Sequence, residues 1–288
     1  NKKLILGTVQ LGKDYGINNT TGQPNFLQSQ TILTTAYDNN IRFLDTAESY
    51  GKSHQVIRDF HKTNTDKRFK VFSKLNSKVK IKKNQLEEHI LKTVNELYID
   101  SMYGYMFHDY SFLKKNNFLI NELSLIKSKN LIQKIGISLY EFSEIIDVIE
   151  NYNFDFIQIP FNIFSDIKKF DKIFQKSSDN GVKIFARSIF LQGLIFISKY
   201  NFPEKLSPLK KNITQLKSYC EKHKIEMNEL ALSYVMKNKF IDGVILGVDN
   251  LSQLKNNIKI SNTTHNVKKA IINKINIKDE TLLNPSKW

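Results

Sequence analysis

A single α/β domain, a (β/α)8 TIM barrel with its active site at the C-terminal face of the strands, is the fold class the sequence predicts. Three observations predict it. Eight short apolar runs alternate with longer amphipathic ones along the 288 residues. No Pro-rich or Gly/Ser-rich linker divides them, so one domain over residues 1–288 is expected. Four polar residues, Asp45, Tyr50, Lys74 and His108, fall at or just beyond the ends of three successive apolar runs.

The candidate strands are 4–9, 42–45, 70–74, 102–107, 133–137, 154–159, 182–186 and 243–246. They are rich in Val, Ile, Phe and Tyr, and several are apolar on both faces, as a parallel sheet covered on both sides requires. Between them, 84–98 places Leu86, Ile90, Val94 and Leu97 on one helical face. Residues 141–151, 167–179 and 226–237 repeat the pattern. Ser29 and Asn84 stand where N-caps belong, and Gly181 where a left-handed C-terminal cap belongs. Residues 10–28 and 187–210 are long for plain connections. Such loops at the C-terminal face of a barrel build active sites. A last helix at 266–275 and a tail complete the segment 262–288. A doubly wound sheet is the competing architecture, but the GxGxxG fingerprint is absent.

A hydrophobic content of 41% over this length supports one large core. No run of 18 apolar residues is present, so no membrane span is expected. The start, NKKLILG, is too short for a signal segment. Cys220 is the single cysteine, which excludes an internal disulfide and fits a cytoplasmic setting. The formal charge of +15 raises the possibility of a nucleic-acid or membrane-surface partner. The surplus lies in scattered Lys pairs such as Lys82-Lys83 and Lys210-Lys211, without an Arg block or interleaved aromatics. Solvated helix faces explain it better, so neither partner is expected. Part of the surplus can still attract an anionic cofactor or substrate.

Gly7-x4-Gly12-Lys13 nearly spells a phosphate-binding loop. Asp14 stands where a Ser or Thr would hold Mg²⁺, and the residues after it are not a helical pattern. Nucleotide hydrolysis is excluded on that mismatch, and no metal is expected.

Taken singly, the four polar residues have ordinary roles. Asp45 reads as a helix N-cap, Lys74 as an exposed strand end, Tyr50 as a packing residue and His108 as one of six His. The other five, His54, His61, His89, His223 and His265, fall in helical or tail segments and are expected at the surface. Jointly, at successive strand ends, the four form a coherent set. A free phenol is too weak an acid to work well near neutrality. A neighbouring Lys74 ammonium would lower the Tyr50 pKa, Asp45 would neutralise that ammonium, and His108 would orient a carbonyl oxygen.

The run Phe43-Leu44-Asp45-Thr46-Ala47 with Tyr50-Gly51 resembles the aldo-keto reductase segment that carries a catalytic Asp and Tyr. Ser73-Lys74-Leu75 and Phe107-His108-Asp109 resemble that family's Lys and His sites. The resemblance extends over most of 4–258. Gly136-Ile137-Ser138 and Gln158-Ile159-Pro160-Phe161-Asn162 are similar to the segments whose Ser and Gln hold a nicotinamide carboxamide. Ala186 to Leu194 resembles the seventh-strand loop over a pyrophosphate, and Ile245 to Val248 with Asn250, Gln253 and Asn257 the segment at the adenosine. The resemblance implies NAD(P)H-dependent reduction of an aldehyde or ketone. It implies Asp45, Tyr50, Lys74 and His108 as catalytic residues. It implies a cofactor cradle of Gly7, Thr8, Ser138, Gln158, Arg187, Ser188, Phe190, Gly193, Gly247, Gln253 and Asn257, with NADP(H) ahead of NAD(H).

Three departures from the family pattern stand out. Arg187 replaces an aromatic that stacks on the nicotinamide; a guanidinium also stacks, but it disfavours the positively charged oxidised ring. Gln253 replaces an Arg that grips a 2′-phosphate. His54 replaces a Glu after the Tyr-Gly pair, and the first strand begins without the family's hairpin plug. The substrate end is almost silent: Lys13, Tyr15, Asn18 and Asn19 suit a polar, sugar-like carbonyl compound. A cofactor-binding barrel with a regulatory or scaffold role is the main alternative. A lyase that uses Lys74 as a Schiff base is another.

Overall fold

Eight parallel strands close into a barrel in chain order, each paired with the next and the last with the first. They are β1 (Leu4–Gly7), β2 (Phe43–Asp45), β3 (Lys70–Leu75), β4 (Met102–Phe107), β5 (Ile132–Ser138), β6 (Phe156–Pro160), β7 (Lys183–Arg187) and β8 (Gly243–Gly247). The computed structural model describes residues 3–198, 201–263, 277 and 279–288. The helix expected at 266–275 lies outside the described residues.

The helices are α1 (Val9–Gly12), α2 (Phe26–Asp38), α3 (Ser53–Thr63), α4 (Leu86–Leu97), α5 (Tyr110–Lys115) and α6 (Leu119–Ser128). They continue with α7 (Phe142–Asn151), α8 (Ile167–Asp179), α9 (Ser207–His223), α10 (Met227–Met236) and α11 (Leu251–Asn262). Their apolar faces and the outward faces of the strands form the main core, with Ile57, Phe60, Ile90, Ile126, Ile173 and Val235 fully buried. Among the described residues, no helix is long and apolar enough to cross a membrane.

Two expected caps move. Asn25, not Ser29, caps α2: its side chain accepts from Gln28 N at 2.9 Å while Gln28 returns the bond. Ser29 is buried inside the first turn. Asn84 takes a left-handed turn conformation with φ 66° instead of capping α4, which begins after Gln85. Gly181 does follow α8 with φ +69°. The segment 187–210 is shorter as a connection than expected, because Pro208 sits in the first turn of α9.

The barrel interior decides where the site lies. Ile5, Phe72, Met106, Phe156 and Ile245 pack inside it, with Phe43, Tyr103 and Phe185 against them. The Phe72 ring meets Phe156 and Phe185 edge to face, at centroid distances of 5.2 and 5.0 Å. Room for these rings comes from Gly104, Gly136 and Gly243, where a Cβ would run into Phe72, Phe156 and Phe185.

Side chains alternate along a strand, so the residue two places on points inward again, one layer nearer the C-terminal mouth. That step leads from Phe43 to Asp45, from Phe72 to Lys74 and from Met106 to His108. It leads from Gly136 to Ser138, Phe156 to Gln158, Phe185 to Arg187, Ile5 to Gly7 and Ile245 to Gly247. The polar layer is thus one pleat above an apolar floor on six strands, with Gly7 and Gly247 at the same level on β1 and β8.

Candidate active site

At the centre of the polar layer Lys74 meets Asp45. Its Nζ donates to Asp45 Oδ1 at 2.8 Å and Oδ2 at 2.7 Å, and to Thr46 O at 2.9 Å. Lys74 is 2% exposed and Asp45 4%, so neither charge could stand alone there. Burial pulls the Lys74 pKa down, and Asp45 opposes the shift.

Tyr50 lies in the loop after β2. Its ring centre is 5.0 Å from Lys74 Nζ and 6.3 Å from the His108 ring, nearly perpendicular to it. Burial, then the Asp45 carboxylate, push the phenol pKa up, while Arg187 pulls it down. The lowering expected from the Lys74 charge is outweighed by burial and by its partner Asp45. His108 is driven down to about 4 by burial and by the Lys74 charge, so it is neutral near pH 7.

The Tyr50 loop is fixed from two sides. Gly12, closing α1, packs directly on the Tyr50 carbonyl, and Lys52 N donates to Gly12 O at 3.0 Å. On the other side Glu48 accepts from Asn76 N at 3.1 Å, His89 Nε2 at 3.0 Å and Tyr105 Oη at 2.5 Å. These bonds hold the Glu48 carboxyl below its ordinary pKa although burial alone would raise it, and they raise His89.

Histidines expected at the surface prove otherwise. His61 is fully buried, its Nδ1 2.9 Å from Leu97 O. His54 is buried 3.3 Å from Ser73 Oγ, and His89 is half-buried on Glu48. His54, Ile57 and His61 recur at helical spacing with Phe60, a pattern that could have placed both on the inner face of α3. His223 is exposed. His265 lies outside the described residues.

The four catalytic candidates and, apart from Gln158, every residue expected in the cofactor cradle line one cavity of about 390 Å³, as do Tyr15, Asn18 and Asn19; Lys13 and Asn250 are not among its lining residues. Gln158 is fully buried against Asp45, donating from Nε2 to Oδ1 at 2.6 Å. Its Oε1 has no partner among the described residues. Ser138, its register partner on β5, lines the cavity. A buried acceptor left open beside a hydroxyl suits an amide group.

Arg187 reaches across to the β5 side. Its guanidinium lies 3.9 Å over the Tyr140 ring and Nη2 donates to Leu139 O at 2.9 Å. One guanidinium face is therefore already covered. Tyr140 and Tyr15 line the cavity beside Tyr50.

Toward α11 the cavity is framed by loops. Ser188, Leu191 and Gln192 adopt left-handed φ of 58°, 48° and 53°. Ile17 N donates to Gln192 O at 3.1 Å, so the loops after β1 and β7 are joined. Gln10 fills the space a Cβ on Gly247 would occupy, and its Oε1 is buried without a partner among the described residues. Thr8 lines the cavity, but its hydroxyl is spent on Asp45 O at 3.0 Å and Ser53 Oγ at 2.7 Å. Asn250 caps α11 by accepting from Gln253 N at 3.0 Å. The exposed Gln253 side chain pairs with Asp249, at 2.8 Å to its N and 3.2 Å to Oδ2. Asn257 is buried at the same end. Among the described residues, no cluster of His, Cys, Asp and Glu suited to a metal is present.

Residues 3–280 match the family model of the aldo/keto reductase family. A holo aldo-keto reductase from Bacillus halodurans shares the fold at TM-score 0.74 and 17% identity, over 96% of this chain and 93% of that one. Two structures of proposed aldo-keto reductases from Pseudomonas aeruginosa align at TM-scores 0.65 and 0.64, with 16% and 15% identity. They cover 90% of this chain each, and 89% and 88% of their own. At such identities the likeness speaks for the fold. No curated protein matches the sequence.

Proposed function

The chain belongs to the aldo/keto reductase family and is by that membership an NAD(P)-dependent oxidoreductase, and we propose that it reduces an aldehyde or ketone with Tyr50 as proton donor. The observation that carries the assignment is the gathering of Tyr50, His108 and the Lys74–Asp45 pair on one cavity. The family's cofactor, when bound, supplies hydride to the carbonyl carbon.

The phenol keeps its proton at neutral pH, so it is always loaded as an acid. As it gives that proton up, the Lys74 ammonium and the Arg187 guanidinium stabilise the phenolate. Neutral His108 has an N–H to give the carbonyl oxygen and fixes the face presented to Tyr50. Asp45 keeps Lys74 charged and in place.

Ser138 and Gln158 would hold the carboxamide, and Gly7, Thr8, Ser188, Phe190, Gly193 and Gly247 would give the close backbone approach a pyrophosphate needs. Gln253, in the first turn of α11, and Asn257, one turn further along it, would take the adenosine end. Arg187, cationic beside the nicotinamide, favours the reduced cofactor over the oxidised one; equal dissociation constants for the two would remove this role. NADP(H) is the cofactor put forward ahead of NAD(H), on the family's habit and the chain's positive surplus. The Asp249 carboxylate narrows that margin, since it repels a 2′-phosphate. A polar, sugar-like carbonyl compound suits the Tyr15 and Asn18 side of the cavity. Cys220, free and buried, fits a cytoplasmic setting.

The test is Tyr50→Phe. Turnover of an aldehyde panel with NADPH should fall by roughly 10²- to 10⁴-fold, the range for losing a positioned general acid, with NADPH still bound in a fluorescence titration. Unchanged turnover of every aldehyde would leave a cofactor-binding scaffold as the better reading.

A further inference from the structure

Among the described residues that line the inner cavity, Arg187 carries the positive charge that no acid answers. Lys74 is neutralised by Asp45. Asp249, the other acid on the cavity wall, is tied to Gln253 at the α11 end. Among the described residues Arg187 donates only to Leu139 O and, at 3.5 Å, to Ser188 Oγ. The Leu139 bond and the stack on Tyr140 turn its guanidinium toward the β5 side, within electrostatic reach of Tyr50 and His108. A half-buried guanidinium with spare N–H groups and no counter-ion is costly unless a ligand supplies one.

The surroundings add donors rather than acceptors. The hydroxyls of Tyr15 and Tyr140 form no hydrogen bond among the described residues, and both rings line the cavity. Tyr15, Tyr50, Tyr140 and Arg187 lie within electrostatic reach of one another. Neutral phenols and a cation in one corner recognise an anion. One unpaired charge and a planar fork suit a carboxylate, with its single charge and two coplanar oxygens, better than a phosphate dianion.

Building on the carbonyl-reduction reading, we propose that the substrate bears a carboxylate, held by Arg187 with the Tyr15 and Tyr140 hydroxyls, while its carbonyl faces Tyr50 and His108.

The experiment compares 4-carboxybenzaldehyde with its methyl ester, using NADPH and NADH, in the wild type and in Arg187→Gln. The wild type should show kcat/KM at least tenfold higher for the acid, and Arg187→Gln should erase most of that ratio. A parallel calorimetric titration of the cofactor-free protein with benzoate and benzamide reads binding alone, whatever the variant's turnover. Benzoate should bind the wild type at least tenfold more tightly, and Arg187→Gln should close the gap. Reduction of both aldehydes without preference for the acid, or a preference that survives in Arg187→Gln, overturns the carboxylate proposal and leaves carbonyl reduction standing. Reduction of neither aldehyde with either cofactor overturns both.

Discussion

Lys74 lies 5.0 Å from the centre of the Tyr50 ring and gives that residue none of its three protons. Asp45 takes two and the Thr46 carbonyl the third. The ammonium therefore acts on the phenol through its field alone, and the Asp45 charge sets how much of that field remains.

Asp45→Asn should expose this balance. It leaves a buried ammonium with no counter-charge, and loss of one partner of a buried pair costs about 3–5 kcal/mol. Urea unfolding should show a loss of unfolding free energy of that size, and the double variant Asp45→Asn/Lys74→Met should recover part of it. A double variant no more stable than Asp45→Asn would mean that the ammonium is not the source of the cost.

Gly12→Ala should disturb Tyr50 although Gly12 lies 38 positions away in sequence. The added methyl overlaps the Tyr50 carbonyl, so the loop must move. Carbonyl-reducing kcat should fall by about tenfold or more, as expected when a catalytic group is displaced by a fraction of an ångström to an ångström, with modest loss of stability. Activity within twofold of wild type would show that the loop absorbs the methyl elsewhere.

Acid should destabilise the fold before the carboxylates titrate. His108 is lowered from 6.5 to about 4, and His54 and His61 are lowered as well, all chiefly by burial. The unfolded chain takes up these protons below pH 6.5 and the folded chain does not, so stability is lost as pH falls from 6.5 toward 4. Each such group contributes a slope of up to about 1.4 kcal/mol per pH unit. His89, raised by Glu48, contributes stability that is fully present below pH 6.5 and is lost as the pH rises above it, so it leaves the slope in this window unchanged. Melting temperatures across that window should fall, and His108→Asn should flatten the curve.

Asp249→Asn should favour NADPH over NADH. It removes a carboxylate beside Gln253 without changing the cap that Asn250 places on α11. The ratio of the two dissociation constants should move several-fold toward NADPH, about 1 kcal/mol for a charge a few ångströms away in a largely aqueous setting. An unchanged ratio would place the 2′-position elsewhere.

The strand ends were readable because period-two alternation ties each polar residue to the apolar one two places before it. Phe72 with Lys74 and Phe43 with Asp45 are visible in the chain itself. Gln158 follows Phe156 by the same rule, but nothing local reveals that its amide turns to Asp45, 113 positions away. Arg187 was visible as an oddity; its stack on Tyr140 joins two loops separated by β6 and depends on the closed barrel. Ser29 reads as a cap because Pro24 and Asn25 read as loop, whereas Gln28 completes a reciprocal pair with Asn25, four residues before Ser29. The Tyr50 pKa rises instead of falling because burial and the Asp45 carboxylate outweigh the Lys74 charge, and neither is visible in the local sequence.

The rings of Phe72, Phe156 and Phe185 close the barrel axis beneath the polar layer. These packed rings offer no group that passes a proton on, which leaves the mouth as the route by which the phenol is resupplied. Each proton spent by Tyr50 has to be replaced through the mouth, past the same loops that Ile17 and Gln192 join. Recharging the acid and clearing the product thus compete for one opening, and neither can be relieved by changing the far end of the barrel.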